Sequence, residues 1–138
     1  MIGTATAGDA AAVIALWQAC DLTRPWNDPA SDFHRALASP GSTVLVSRAG
    51  DAILGSTMVG DDGHRGWVYY LAVASSARRS GLGRALMSAA EDWLAVRGVP
   101  KIQLMVRDTN PAATAFYTAL GFARQPVATW GRFIGDDR

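Results

Sequence analysis

The residues "RRSGLG" at 78–83 combine positive charge with two glycines, between an apolar run and a long amphipathic stretch. The apolar run predicts a strand, and the helical spacing after it predicts a helix. A helix that begins here points its free N–H groups and its positive dipole end outward, and glycine lets the backbone approach a ligand. Arg78, Arg79 and Arg84 add positive charge, so the segment suits a phosphate or pyrophosphate.

The same segment is also compatible with a structural role, in which the glycines close a turn and the arginines lie in solvent. Two familiar phosphate-binding loops do not fit it. A Walker A loop ends in Gly-Lys-Ser/Thr, whereas Arg84 and Ala85 follow Gly83. A dinucleotide-binding fingerprint needs a third glycine where Leu86 stands. The alternatives are therefore an anion site of another kind or a structural turn.

The elements that would position this turn follow from hydrophobic spacing and turn residues. Helices are predicted at residues 9–20, 31–39, 82–97 and 110–120, with Asp9, Ser31 or Asp32, and Asn110 as N-caps, and Gly98 and Gly121 at C-terminal ends. Strands are predicted before residue 9, as a hairpin within 42–60, and at 67–74, 101–108 and 124–135. The order β-α-α-β-β-β-α-β-α-β predicts one α/β (α+β) domain over residues 1–138, with a mixed sheet of about six to seven strands and helices on both faces.

Composition excludes several classes of protein. The net charge of +1 without a basic cluster argues against a nucleic-acid partner. Cys20 is the one cysteine, and His34 and His64 lack neighbouring ligands, so neither a disulfide nor a metal site is expected. The apolar stretch at 10–20 is too short to span a bilayer, and the N-terminus lacks a basic leader. We therefore expect a cytoplasmic protein without a membrane partner.

Two motifs resemble those of the GNAT superfamily of N-acetyltransferases. Its Arg/Gln-x-x-Gly-x-Gly/Ala motif is matched by Arg78, Gly81 and Gly83. Its Asn-x-x-Ala-x-x-x-Tyr-x-x-x-Gly-Phe motif is matched by Asn110, Ala113, Tyr117, Gly121 and Phe122. The element order is similar as well, so the resemblance covers essentially the whole chain. The stretches "CDLTRPWNDP" and "DGHRGWVYYLAV" look most like the bacterial YpeA-type acetyltransferases.

The resemblance implies acetyl-CoA as the cofactor. It places the pyrophosphate of CoA on the turn residues Arg78, Arg79, Ser80, Gly81, Leu82, Gly83 and Arg84. It places the pantetheine arm along backbone groups of the strand that contains Leu71, Ala72 and Val73. An N–H near Leu71 or Ala72 would stabilise the oxyanion. From the last helix, Asn110 would bond the pantetheine, and Ala113 and Phe116 would line it.

The implied reaction is attack by a neutral amine on the thioester carbonyl. Tyr117 matches the general acid that protonates the leaving thiolate; the alternative is a core aromatic residue. Trp67 stands where many members carry a glutamate as general base. The base is therefore open, and the candidates are His64, Asp61, Asp62, Asp28 or a chain of water molecules.

The resemblance places the acceptor under the loop "TRPWNDPAS". Arg24, Trp26, Asn27 and Asp28 could hold an amine that also carries a carboxylate. The alternative is a turn in which Trp26 covers the core while Asn27 and Asp28 cap the next helix. A weak base favours an amine of low pKa: at pH 7 about one α-amine in seven is neutral, against about one lysine in 2,500.

Two other functions stay open beside acetyl transfer to a small-molecule or peptide amine. One is an acyl-CoA-binding sensor with the same fold and no turnover, which the missing glutamate favours and Tyr117 disfavours. The other is transfer of a longer acyl group. The resemblance also allows a homodimer.

Overall fold

The computed structural model describes residues 1–135, which form two compact units, residues 1–105 and the residues from Val106 onward. The strands within this range are β1 (Ile2–Thr4), β2 (Ser42–Ala49), β3 (Ala52–Asp61), β4 (Gly66–Val73) and β5 (Ile102–Leu104). The helices are α1 (Ala10–Ala19), α2 (Pro29–Ala38), α3 (Leu82–Val96) and α4 (Pro111–Ala119). No helix in the described range is long and apolar enough to cross a membrane.

The first unit contains a mixed sheet with strand order β1-β2-β3-β4-β5. Neighbouring strands are antiparallel except β4 and β5, which are parallel. Ser56 of β3 bonds Trp17 of α1, whereas a Cβ built on Gly55 would meet Leu86 of α3. Because successive strand residues point to opposite faces, α1 and α3 lie on opposite faces of the sheet. The predicted mixed sheet with helices on both faces is confirmed.

Each face of the sheet has its own buried helix stripe. On one face α1 and α2 bury apolar side chains against β2, among them Val13, Trp17, Phe33, Val44 and Val46. On the other face α3 buries Leu86, Met87, Ala90 and Leu94. Burying each of these larger side chains stabilises the fold by about 2 kcal/mol before the entropy of ordering is subtracted. The sheet is thereby a fixed platform for the loops at its ends.

The strand predictions are wrong at the C-terminal end of the chain. Residues 124–135 contain no strand, and Val127, Trp130 and Ile134 are exposed there. Alternation by itself does not provide a pairing partner, and Pro126 lacks an N–H for a ladder. The strand predicted at 101–108 is reduced to β5, which pairs with β4 over three residues. The described sheet therefore has five strands instead of six or seven.

Helix boundaries correct two predicted caps. Asp28, rather than Ser31 or Asp32, caps α2, with Pro29 in the first turn, where its missing N–H costs nothing. Asn110 caps α4 as predicted. The C-cap of α4 is Leu120, one residue before the predicted Gly121, which follows it with φ 92°.

Candidate functional site

The ladder between β3 and β4 contains a bulge in the middle of β4. Two consecutive β4 residues, Tyr70 and Leu71, oppose Thr57 alone. The flanking pairs are Ser56 with Ala72 and Met58 with Tyr69. A bulge leaves an extra residue out of the ladder and turns backbone groups away from the neighbouring strand. The bulge therefore includes Leu71, one of the residues for which the family resemblance implies backbone contacts with the acetyl donor.

Tyr70 forms the bulge with a left-handed backbone, at φ 56°. This conformation costs a bulky residue about 1–2 kcal/mol, so the surroundings must hold it. Its ring stacks on Trp17 of α1, with centroids 3.9 Å apart and planes 8° apart. Its hydroxyl donates to Asp32 Oδ2 of α2 at 2.7 Å. Burial, followed by this bond to Asp32, raises the pKa of Tyr70, so the hydroxyl keeps its proton.

The arginine- and glycine-containing turn connects β4 to α3. It passes through a 3-10 turn at Ser75–Ala77 and then through left-handed residues at Arg79 (φ 64°) and Gly81 (φ 83°). Gly81 is the N-cap of α3 and makes no side-chain capping bond. A Cβ built on Gly81 would meet no atom within 4 Å. The helix start is thus open to a ligand, and the dipole favours an anion there.

The charged and hydroxyl side chains of this turn are exposed but partly engaged. Arg78 Nε donates to the carbonyl of Val73 at 3.3 Å, and its guanidinium lies 3.8 Å from Cys20 Sγ. The Ser80 hydroxyl donates to the carbonyl of Ala77. The Arg78 bond to Val73 ties the turn to the C-terminal end of β4, and the Ser80 bond lies within the turn.

The predicted acceptor loop has a partly structural role. Asp28 accepts bonds from the N–H groups of Ala30 and Ser31, at 3.0 and 3.3 Å. The Ser31 N–H and hydroxyl and then the Ala30 N–H lower the pKa of Asp28, which makes it a poor general base. Arg24 donates to two nearby carbonyls. The capping alternative for Asp28 is confirmed, but Trp26, 52% exposed, does not cover the core.

The turn between β3 and β4 holds the other candidate bases. Asp62 accepts from the N–H groups of His64 and Arg65 and from Trp67 Nε1. The N–H bonds, from Arg65 first, lower the pKa of Asp62 and weaken it as a base. Asp61 accepts from the N–H of Gly63.

His64 is exposed, and its turn precedes β4. Five residues along the strand separate Gly66 from Leu71, a span of about 16 Å. His64, in the turn before the strand, is therefore too far from the bulge for direct contact with an amine bound there.

In the second unit, α4 presents the other motif. Asn110 Oδ1 accepts from the N–H of Ala113 at 3.1 Å, so the side chain serves the cap. Tyr117 lies between Phe116 and Phe122, with ring centroids 5.0 and 5.7 Å away in edge-to-face geometry. Burial raises the pKa of Tyr117 to about 12. The phenol is therefore protonated throughout the neutral range.

Sequence reasoning missed the group formed by Trp17, Asp32 and Tyr70. These residues come from three separate elements, and the run "WVYYLAV" has no local signal that distinguishes a bulge from regular strand. Within residues 1–135, no three His, Cys, Asp or Glu side chains cluster as a metal site would require.

The chain is similar to known acetyltransferases in sequence and in fold. The acetyltransferase (GNAT) family pattern matches residues 11–122. A protein named acetyltransferase from Pectobacterium atrosepticum is 45% identical over 130 residues, covering 94% of this chain and 92% of its own. One from Yersinia enterocolitica is 44% identical over 120 residues, covering 87% and 85%. The solved structure of an aminoglycoside acetyltransferase from a soil metagenome has a TM-score of 0.80 at 18% identity, covering 98% and 96%, and so shares the fold.

Proposed function

This chain belongs to the acetyltransferase (GNAT) family and is an enzyme of the N-acetyltransferase class, and from that premise we propose that it moves the acetyl group of acetyl-CoA onto a primary amine. The acceptor is a small molecule, an amino acid or a peptide N-terminus. The amine attacks directly within a complex that holds both substrates. The observation that carries the proposal is the start of α3 at Gly81, which has no side-chain cap and follows the β4 bulge by ten residues.

The turn before α3 would hold the pyrophosphate of CoA. No atom lies within 4 Å of a Cβ built on Gly81, so the backbone there is open to the approach of such a group. The N–H groups of the first helical turn would donate to phosphate oxygens, and the arginines would balance their charge. The residues proposed for this role are Arg78, Arg79, Ser80, Gly81, Leu82, Gly83 and Arg84.

The bulged strand would hold the reacting end of the donor. We assign pantetheine contacts to backbone groups of Leu71, Ala72 and Val73, and the oxyanion bond to an N–H at Leu71 or Ala72. One such donor contributes roughly a hundredfold or more to the rate. In the second unit, Asn110, Ala113 and Phe116 are proposed as further contacts, by their match to the family motif.

In the proposed chemistry, the amine nitrogen attacks the thioester carbon, the C–S bond breaks and the thiolate takes a proton from Tyr117. The pKa of Tyr117 is near 12 and that of the CoA thiol is about 8.5, so transfer of the Tyr117 proton to the thiolate is unfavourable by about 5 kcal/mol. Tyr117 must therefore regain a proton as the amine releases one. Before this exchange of protons, the Tyr117 hydroxyl stabilises the developing thiolate by donating a hydrogen bond to it.

We propose that water carries the amine proton away, with His64 as a distant acceptor. Asp28 and Asp62 are weak bases, because hydrogen bonds stabilise their charged forms. A site without a strong base selects amines that are already neutral, such as α-amines. Arg24, Trp26, Asn27 and Asp28 stay the proposed acceptor loop, with exposed Trp26 as its aromatic wall.

The second candidate function is an acyl-CoA-binding module without turnover, favoured by Trp67 in place of a carboxylate. Free thiol release from acetyl-CoA, with amino acids, peptides, polyamines and aminoglycosides as acceptors, separates the two. Release that needs an amine and falls in Tyr117→Phe supports transfer. Binding of acetyl-CoA, seen as a raised melting temperature without release for any amine, supports the module.

A further inference from the structure

We propose that Tyr70 is a positioning residue, and that Trp17 and Asp32 hold it so that the β4 bulge keeps one geometry. The inference rests on the proposed function, because the group being positioned is the backbone N–H that would stabilise the oxyanion. The bulge clamp consists of Trp17, Asp32 and Tyr70. In this proposal the clamp acts on the reaction through the backbone of β4.

The left-handed backbone of Tyr70 needs support from its surroundings. Within residues 1–135, the non-glycine residues with positive φ are Asp21, Tyr70 and Arg79. Asp21 and Arg79 are exposed residues of turns, whereas Tyr70 lies inside a strand. A bulky residue leaves the extended region within a sheet only where its surroundings over-determine the conformation. The clamp supplies these surroundings.

The clamp contacts both strands at the bulge. Trp17 is fully buried, stacks on Tyr70 of β4 and donates from Nε1 to Ser56 Oγ of β3 at 3.0 Å. Ser56 pairs with Ala72, the residue that closes the bulge. One indole therefore contacts both sides of the interruption in the ladder.

The polar end of the clamp is a hydrogen bond between Tyr70 and Asp32. The Tyr70 hydroxyl reaches Asp32 of α2 at 2.7 Å, and Asp32 also lies 3.7 Å from Arg35. A bond from a hydroxyl to a carboxylate is shorter and more directional than one between neutral groups. It fixes the tilt of the ring, and with it the backbone of the residue that carries the ring. A tyrosine that only filled the core would need neither a carboxylate nor a left-handed backbone.

The clamp has a kinetic signature that differs from loss of stability. The oxyanion exists only in the transition state, so a misplaced N–H lowers kcat and leaves the substrate KM values nearly unchanged. Complete loss of such a donor costs roughly a hundredfold to a thousandfold in kcat. Loosening the clamp keeps the donor but misaligns it, so we expect a fall of about tenfold.

The experiment compares Tyr70→Phe, Asp32→Ala and the double variant with wild-type enzyme. Tyr70→Phe keeps the stacked ring and removes the bond to Asp32. Asp9→Asn is the control, because it weakens an ion pair with Arg48 elsewhere in the same unit. Each protein is assayed with acetyl-CoA and the amine that gives the fastest thiol release. Amide hydrogen exchange is measured at Leu71 and Ala72 without ligand.

The proposal predicts that both single variants lose about tenfold in kcat, with KM for acetyl-CoA within about twofold, and that the double variant is no worse than either. Exchange at Leu71 and Ala72 should accelerate in the clamp variants and not in Asp9→Asn. Unchanged kcat in folded Tyr70→Phe overturns the proposal. So does additive loss in the double variant.

A different result would count against the proposed function itself. If wild-type enzyme releases no thiol with any amine, acetyl transfer is wrong and the catalytic part of this inference falls with it. Exchange then decides the conformational part: faster exchange in Tyr70→Phe supports the clamp, and unchanged exchange overturns it.

Discussion

Gly81→Ala tests whether the turn before α3 is a binding site or only a turn. Gly81 has φ 83°, and a Cβ there meets no atom within 4 Å. The substitution therefore adds backbone strain without a steric clash inside the protein. Gly98 is a matched control, because it lies beyond the other end of α3 with φ 75° and the same open surroundings.

The magnitude follows from the conformation alone. Alanine in the left-handed region costs about 1–2 kcal/mol, and its smaller entropy in the unfolded chain returns about 0.5 kcal/mol. Both variants should therefore lose about 1 kcal/mol of unfolding free energy, or about 4 °C in Tm. Only Gly81→Ala should also lose CoA affinity, by about tenfold, since its methyl group displaces one charge-assisted bond to phosphate.

The assay is thermal unfolding of each variant with and without CoA, together with calorimetric titration of CoA. We expect equal losses of Tm without ligand and a loss of CoA affinity in Gly81→Ala alone. Equal affinities in the two variants would refute the role of the turn in binding. An unchanged Tm in both would refute the left-handed conformations.

Three further predictions concern the fold and its titrating groups. Gly66→Ala places a Cβ 2.7 Å from Leu94 Cδ2 and should cost about 1–3 kcal/mol in urea unfolding; an unchanged midpoint would contradict this packing. Asp9→Asn should cost about 1 kcal/mol at pH 7. The Arg48 bond is the largest cause that lowers the pKa of Asp9 from 3.8 to about 2. The difference in unfolding free energy between Asp9→Asn and wild type should therefore be full above pH 3.8 and vanish as pH falls through 2. A difference that persists at lower pH would exclude this ion pair as its source. Burial raises the pKa of Tyr117 to about 12, so its contribution to stability is full below pH 10 and is lost as pH rises from 10 through 12. For the same reason, ionisation of Tyr117 should not lower kcat below pH 10. A fall in kcat near pH 9 that is absent from Tyr117→Phe would contradict this.

Local chemistry made much of this fold predictable. The start and end of α3 depend on apolar spacing and on Gly81 and Gly98, all of which are visible in one stretch of sequence. The cap of α4 depends on Asn110 in the same way. The cap of α2 was misassigned because Asp28, Ser31 and Asp32 are all good capping residues, and Pro29 at the first helical position was the signal that separates them.

Features that depend on pairing between distant segments were not predictable. The bulge at Tyr70 is a shift of register between β3 and β4. Its support comes from Trp17 and Asp32, which are 53 and 38 residues away from Tyr70 in sequence. Residues 124–135 have the alternation of apolar and polar residues that is typical of a strand, but they form no strand in the structure. Periodicity reports which face a residue prefers, whereas pairing depends on what the rest of the chain places beside it.

The most direct test of acetyl transfer is to follow the acetyl group itself. Acetyl-CoA labelled with carbon-13 in the acetyl group is mixed with enzyme and the amine panel, and the products are examined by mass spectrometry. We expect labelled N-acetyl product, with α-amines ahead of lysine side chains and polyamines, and free CoA in equal amount. Thiol release with the label in free acetate alone, or intact acetyl-CoA with every amine, would contradict it.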